Sequence, residues 1–293
     1  MHHQQIDGLY PTIPQDPKRS LFHAVIEACR SETAAGEPDT FALERRLTAA
    51  SSFRMTPDAL ATISMFWSRK TEDLLLDGLA RFQPPMAGSI WIEHDVRSRC
   101  DARLPMPRLS FRKKVIPGQV GVLLKFDTPP GATRPRGNMV VAFRPWALDD
   151  IAESGAEEAR ALRPVLSGAY AEFDLPSSLD GDPAPQYLEE AFQTFGDDQA
   201  NAERMSNRAL GHILSLYRYK FMVAEPRLTP TSKMAALASV CCEMPLMMVT
   251  LGLIGAKVLD FFPSSVGPGS AVEDRTAGTG LLDAVVNTPV GHA

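Results

Sequence analysis

Ser89-Ile-Trp-Ile-Glu-His-Asp95, Gln119-Val-Gly-Val-Leu-Leu-Lys-Phe126 and Met139-Val-Val-Ala-Phe143 decide the fold class of this 293-residue chain. In an extended strand alternate side chains share a face. Ile90, Ile92 and His94 therefore oppose Trp91, Glu93 and Asp95, and Val120, Val122, Leu124 and Phe126 oppose Gly121, Leu123 and Lys125. The third run is almost continuously apolar, as a buried strand is. A fourth strand candidate, Ala169 to Leu175, alternates Tyr170, Glu172 and Asp174 against Ala171, Phe173 and Leu175, so one of its faces is wet. The pattern predicts an α+β protein: a small antiparallel sheet of three or four strands over residues 89–175, flanked by N-terminal and C-terminal helices packed on one face.

Working outward, helix signals surround this block. Asp16 and Pro17 suit a helix start, and Leu21, Phe22, Val25, Ile26 and Cys29 form one apolar stripe behind them. A second helix is expected over Thr40 to Ala50, with Phe41, Leu43 and Leu47 inward. Thr56-Pro57-Asp58 opens a third, running through Leu60, Ile63, Phe66, Trp67, Leu75 and Leu79 to Phe82, with a break near Arg69. Further helices are expected over 148–162, 186–195 and 197–223. The most apolar part, 234–262, reads as a buried helix or helical hairpin. Four regions follow: helical 1–87, the sheet region 88–175, helical 176–262, and a Gly-, Pro- and Thr-rich tail, 263–293, expected to be disordered.

Composition narrows the class without naming an activity. Apolar content of 44% and charged content of 22% are globular values, and a net charge of −5 gives no overall attraction to polyanions. Cys29, Cys100, Cys241 and Cys242 make no zinc spacing and read as reduced thiols, which together with the absence of a signal peptide predicts a cytoplasmic protein. No phosphate-binding loop, nucleophile elbow or dinucleotide fingerprint occurs, so no cofactor and no catalytic residue are expected. Within 234–262 the longest uncharged run, Met244 to Ala256, has 13 residues, which is short for a bilayer span.

The charge is unevenly distributed. Residues 88–145 carry eleven Lys or Arg against four Asp or Glu, whereas 148–204 carry three against fourteen. Most of the excess lies on the long connection between the first two strands: Arg97, Arg99, Arg103, Arg108, Arg112, Lys113 and Lys114. Such a segment suits phosphate neutralisation on a nucleic acid, or an acidic protein surface. Glu93 and Asp95, on one strand face with Lys125 on the next strand, form a candidate divalent-metal site of the kind a nuclease uses. The acid expected two residues before the lysine is replaced by Leu123, and His94 points away from both carboxylates.

The Trp91-Ile92-Glu93 strand after a proline-rich turn, with the Val120-Gly-Val-Leu-Leu124 strand after a loop, resembles uncharacterised proteins encoded in bacteriophage and proteobacterial genomes. The resemblance covers the central third of the chain. It implies a phage or mobile-element setting and carries over no catalytic residue. The basic C-terminal segment of such proteins is missing, since only Arg275 is basic after Lys257. The functional expectation is a non-enzymatic, macromolecule-binding protein that uses the basic loop, with homo-oligomerisation left open. The alternatives are a metal-dependent enzyme acting on nucleic acid through Glu93 and Asp95, and a membrane-associated protein anchored through 234–262.

Overall fold

The computed structural model describes residues 20–34, 38–67, 71–85, 88–104, 115–132, 135–147, 164–175, 218–223, 230–263 and 279–284. The expected helices over 148–162 and 186–195 lie outside these. The strands foreseen in the centre form β2 (Ser89–Asp95), β3 (Val115–Asp127), β4 (Arg136–Ala147) and β5 (Val165–Asp174), each antiparallel to the next. The expectation of a small antiparallel sheet is overturned. These four belong to an eight-stranded mixed sheet that also contains β1 (Ser51–Met55), β6 (Arg218–Val223), β7 (Leu259–Pro263) and β8 (Thr279–Ala284), in the order β6-β5-β4-β3-β2-β1-β8-β7. β1 runs parallel to both β2 and β8, and β7 is antiparallel to β8.

Each of the four added strands is five or six residues long, too short for its period to stand out from its surroundings. Arg218 to Val223 continues an apolar spacing that also fits a helix but forms β6 instead, and the rest of the helix expected over 197–223 lies outside the described residues. β7 closes the apolar 234–262 segment, and β8 comes from the tail expected to be disordered. Non-local pairing decides these elements. The β8 backbone accepts from Thr56 N–H at Leu282, and Asp283 Oδ1 accepts from the Thr56 hydroxyl at 2.6 Å.

Helices cover both faces of the sheet, not one. α1 (Leu21–Ala34) and α2 (Pro38–Ala49) place Leu21, Phe22, Val25, Cys29 and Leu47 against Trp91, Leu123 and Ala142. On the opposite face lie α3 (Pro57–Met65), α4 (Glu72–Arg81), α5 (Val96–Asp101) and α6 (Pro230–Gly255). They share one core with Ile90, Ile92, Val120, Val122, Leu124, Met139, Val141 and Phe143. Thr56 caps α3 as foreseen, its hydroxyl accepting from Ala59 N–H at 3.1 Å. In β5 Ala171 and Phe173 are buried while Asp174 is exposed, following the alternation read from the sequence.

From Glu243 to Leu253 every residue of α6 is buried, which is why this helix shows no polar stripe. Among the described residues no helix is long and apolar enough to cross a membrane. Two glycines that weaken α6 as an isolated helix have a packing role. Gly252 and Gly255 lie against Gly78 of α4 so closely that a methyl group on Gly78 would overlap the Gly252 carbonyl, and one on Gly255 the Gly78 carbonyl. Only backbone surrounds these points, so relief requires the helices to separate. Gly78→Ala is therefore expected to lose about 1–3 kcal/mol of stability through overpacking, despite the ~1 kcal/mol that alanine gains in helix propensity. Urea denaturation measures this, and a variant at or above wild-type stability would contradict the close approach of α4 and α6.

Candidate functional site

Three successive polar residues, Glu93, His94 and Asp95, end β2, and each goes to a different partner. Asp95 leaves the strand and caps α5, its Oδ1 accepting from the N–H groups of Arg97 at 2.8 Å and Ser98 at 3.2 Å. That start fixes the helix phase. Val96 and Arg99, three apart, face inward and are buried, while Arg97, Cys100 and Asp101 face solvent. The helix ends in a paired backbone closure: Arg103 N–H donates to Cys100 O at 2.9 Å and Leu104 N–H to Arg99 O at 3.2 Å. This is the Schellman arrangement, and it returns the chain to the core at buried Leu104. Arg103 occupies the left-handed position at φ 58°, where glycine is usual.

Arg99 is completely buried. Its Nη1 donates to Glu243 Oε1 of α6 at 2.5 Å, and His94 Nε2 lies 3.3 Å from Glu243 Oε2 and 3.5 Å from Arg99 Nη1. A histidine, an arginine and a glutamate are thus enclosed where β2, α5 and α6 meet. Because a carboxylate only accepts and a guanidinium only donates, the tautomer with the proton on His94 Nε2 satisfies Glu243. It leaves Nδ1 without a hydrogen-bond partner among the described residues. Burial alone would push the Glu243 carboxyl pKa up. The Arg99 charge and the His94 hydrogen bond outweigh it and hold the group below the usual carboxylate value.

Glu93 points to the opposite face and is buried under α1. Its Oε2 accepts from Ser20 Oγ at 3.1 Å, Phe22 N–H at 3.0 Å and Trp91 Nε1–H at 3.2 Å. The carboxylate meets the first turn of α1, where backbone N–H groups lack helical partners and the dipole favours negative charge. The Trp91 ring reaches it across Gly121, where any side chain would collide with the indole. Both carboxylates of the candidate metal site therefore hold helix N-termini. Among the described residues no group of three His, Cys, Asp or Glu side chains is placed to hold a metal ion.

The candidate anion-binding residues are divided. Arg97 and Arg103 are exposed, Arg99 is internal, and Arg108, Arg112, Lys113 and Lys114 lie outside the described residues. Within the long connection the described residues form α5 and the early start of β3. A second guanidinium of the basic block, Arg144, is also buried and donates to Gln119 Oε1 at 2.9 Å. Sequence reading missed Glu243, although it is the one Asp, Glu, Lys or Arg between Lys233 and Lys257. A lone charge in an apolar helix needs a buried partner, and that signal was available.

The chain thus presents a three-layer α+β architecture around an enclosed ionic cluster, with one exposed arginine on the short helix that the cluster holds and another just past its end. No family model, curated protein or solved structure matches it.

Truncating Glu243 to Ala removes the buried carboxylate that Arg99 and His94 share and is expected to cost about 3–5 kcal/mol in urea denaturation. The paired change Arg99→Met/Glu243→Leu removes both charges and keeps the volume, and should recover most of that loss. A paired variant no better than Glu243→Ala would show that packing, not charge, sets the cost.

The sign of the acid response follows from the lowered Glu243 pKa. Its stabilising contribution is complete above the unfolded value of about 4.3 and is lost as pH falls toward the lower folded value. Below about pH 4.3 the stability of the wild type should therefore fall relative to that of Arg99→Met/Glu243→Leu, whichever is the more stable at neutral pH. Parallel loss in both proteins, followed by denaturation across this range, would remove Glu243 from the acid response.

Proposed function

We propose that this chain is a non-enzymatic nucleic-acid-binding protein whose contact surface is the basic segment 97–114, in the phage or mobile-element setting that its resemblance implies. The observation that carries the reading is Arg103. It stands exposed at a left-handed helix-closing position, where a non-glycine residue costs about 1–2 kcal/mol. A strained backbone position occupied by an outward-facing arginine points to a use for the side chain, because glycine there would make the better helix end.

The charge balance supports the same surface. With Arg99 neutralised by Glu243, the segment still carries Arg97, Arg103, Arg108, Arg112, Lys113 and Lys114 against Asp101 alone. Six cations in 18 residues, on a chain of net charge −5, make a local attraction for phosphates that the whole protein lacks.

Reversing Arg97, Arg103, Lys113 and Lys114 to Glu is expected to abolish binding to a short DNA duplex. Single replacements by Gln should each make the salt dependence of log K shallower by about 0.9 per phosphate contact removed. Arg103→Gly should raise folding stability by about 1 kcal/mol while weakening binding, a split that a structural role would not produce. Fluorescence anisotropy across a salt series reads the binding and urea denaturation the stability. Affinity unchanged by the fourfold reversal would sink the assignment, and equal salt-sensitive binding to poly-glutamate would transfer it to an acidic protein surface.

A further inference from the structure

One end of the sheet is β7, which among the described residues pairs with β8 alone. The hydrogen bond from Thr56 N–H to Leu282 O places the backbone polar groups of Leu282 toward β1. Phe261 stands opposite Leu282 across the β7–β8 pair, so its own N–H and C=O point away from β8. Those of Leu259 and Pro263, two residues to either side, do the same. These residues form the outer margin of the sheet.

An unpaired margin is a template on which a second copy of the chain can lay its own β7. Antiparallel and centred on Phe261, two such strands would match Leu259 of each with Pro263 of the other about a two-fold axis. β7 is built against this. It has only five residues, and Pro263 brings no N–H to the margin. The central donor, Phe261 N–H, is already taken by the preceding side chain: Asp260 Oδ1 accepts it at 2.8 Å. The outward N–H that is left, that of Leu259, lies at the first residue of the strand. We propose that Asp260 guards this margin, keeping β7 from pairing edge to edge with a second copy of the chain.

Local folding does not account for an aspartate at this position. Asp260 stands directly across from Asp283, and like charges placed opposite each other destabilise a strand pair. Asp283 has a task of its own, since its Oδ1 accepts from the Thr56 hydroxyl at the start of α3 and from Ala284 N–H. Asp260 is exposed, and its hydrogen bond runs to the next residue of its own strand. What that bond achieves is to occupy the donor that a second β7 would need. Charge acts in the same direction. Two-fold pairing would set the Asp260 carboxylates of both copies on one face of adjoining strands, a diagonal step apart, each beside its own Asp283.

The test compares wild type with Asp260→Ala by sedimentation equilibrium across a micromolar-to-millimolar concentration series. Removing the carboxylate releases Phe261 N–H and takes the charge off the margin. Asp260→Ala is therefore expected to gain mass with concentration relative to wild type, approaching a doubling. Hydrogen exchange at the Phe261 amide locates the contact: protection should rise with concentration in Asp260→Ala and stay constant in wild type. An Asp260→Ala protein that sediments as wild type does at every concentration overturns the proposal. So does association that leaves the Phe261 amide unprotected, because the contact then lies elsewhere. Protection of that amide rising with concentration in the wild type overturns it as well, since β7 would then be an interface and not a guarded margin. Should Asp260→Ala fail to fold, Asp260→Val answers the same question with a strand-favouring side chain that has neither charge nor acceptor.

Discussion

β2 is covered on both faces, and from Ser89 to His94 every one of its residues is buried. The rest of the architecture answers to that constraint. A strand buried on both sides can feed two cores, and β2 does so: Ile90 and Ile92 enter the core under α6, and Trp91 the core under α1. It cannot leave polar side chains to water. Glu93 and His94 must be satisfied inside, on opposite sides, and each draws in an element to do it. Glu93 takes the N-terminus of α1, and His94 meets the Glu243 and Arg99 brought by α6 and α5. A run that reads as a polar strand edge or a metal-ligand set is in fact a three-way junction, with Asp95 as the third arm.

The two internal solutions differ in kind. At Glu93 a carboxylate is matched by three neutral donors at a helix start, a local arrangement without a second formal charge among its hydrogen-bond donors. At His94 the solution is ionic, and it ties the middle of the most apolar helix to a six-residue surface helix. Desolvating both ions costs several kcal/mol before their attraction is counted, so an apolar trio would serve the core about as well. What the ionic version adds is direction. Glu243 admits Arg99 in one orientation, which sets the rotation of α5 and turns Arg97 outward.

Much of the centre was legible because its signal is local. Alternation over seven or eight residues fixed which side chains of β2 and β3 share a face, and the Thr56-Pro57-Asp58 run marked a helix start that the structure reproduces. The missing half of the sheet was not legible because its strands are defined by partners far away in the chain. β1 is Ser-Ser-Phe-Arg-Met, unremarkable until β2 and β8 lie on either side of it. The same limit applied to the site. Nothing in Arg97-Ser-Arg99 says which arginine is internal until Asp95 caps a helix and places Arg99 one turn from Val96. Glu243 carried a clearer mark, its isolation among apolar residues, but its partner lies 144 residues away.

α5 joins the interior to the surface, and its two ends explain how so short an element can present charge at a fixed place. The Asp95 carboxylate satisfies its first free N–H groups, and the closure through Arg103 and Leu104 satisfies its last carbonyls and returns the chain to the core. A helix capped at both ends and anchored in the middle cannot shift its register without breaking all three links. The exposed guanidiniums of Arg97 and Arg103 therefore leave the body from fixed backbone positions, at a lower entropic cost to ordering than the same residues would pay on an unanchored loop. Glycine at 103 would keep the closure and relieve its strain, yet would remove one of the two outward cations that this part of the scaffold holds in place. The strained residue is the one point where α5 departs from the best local choice for folding, and it departs in favour of positive charge at the surface.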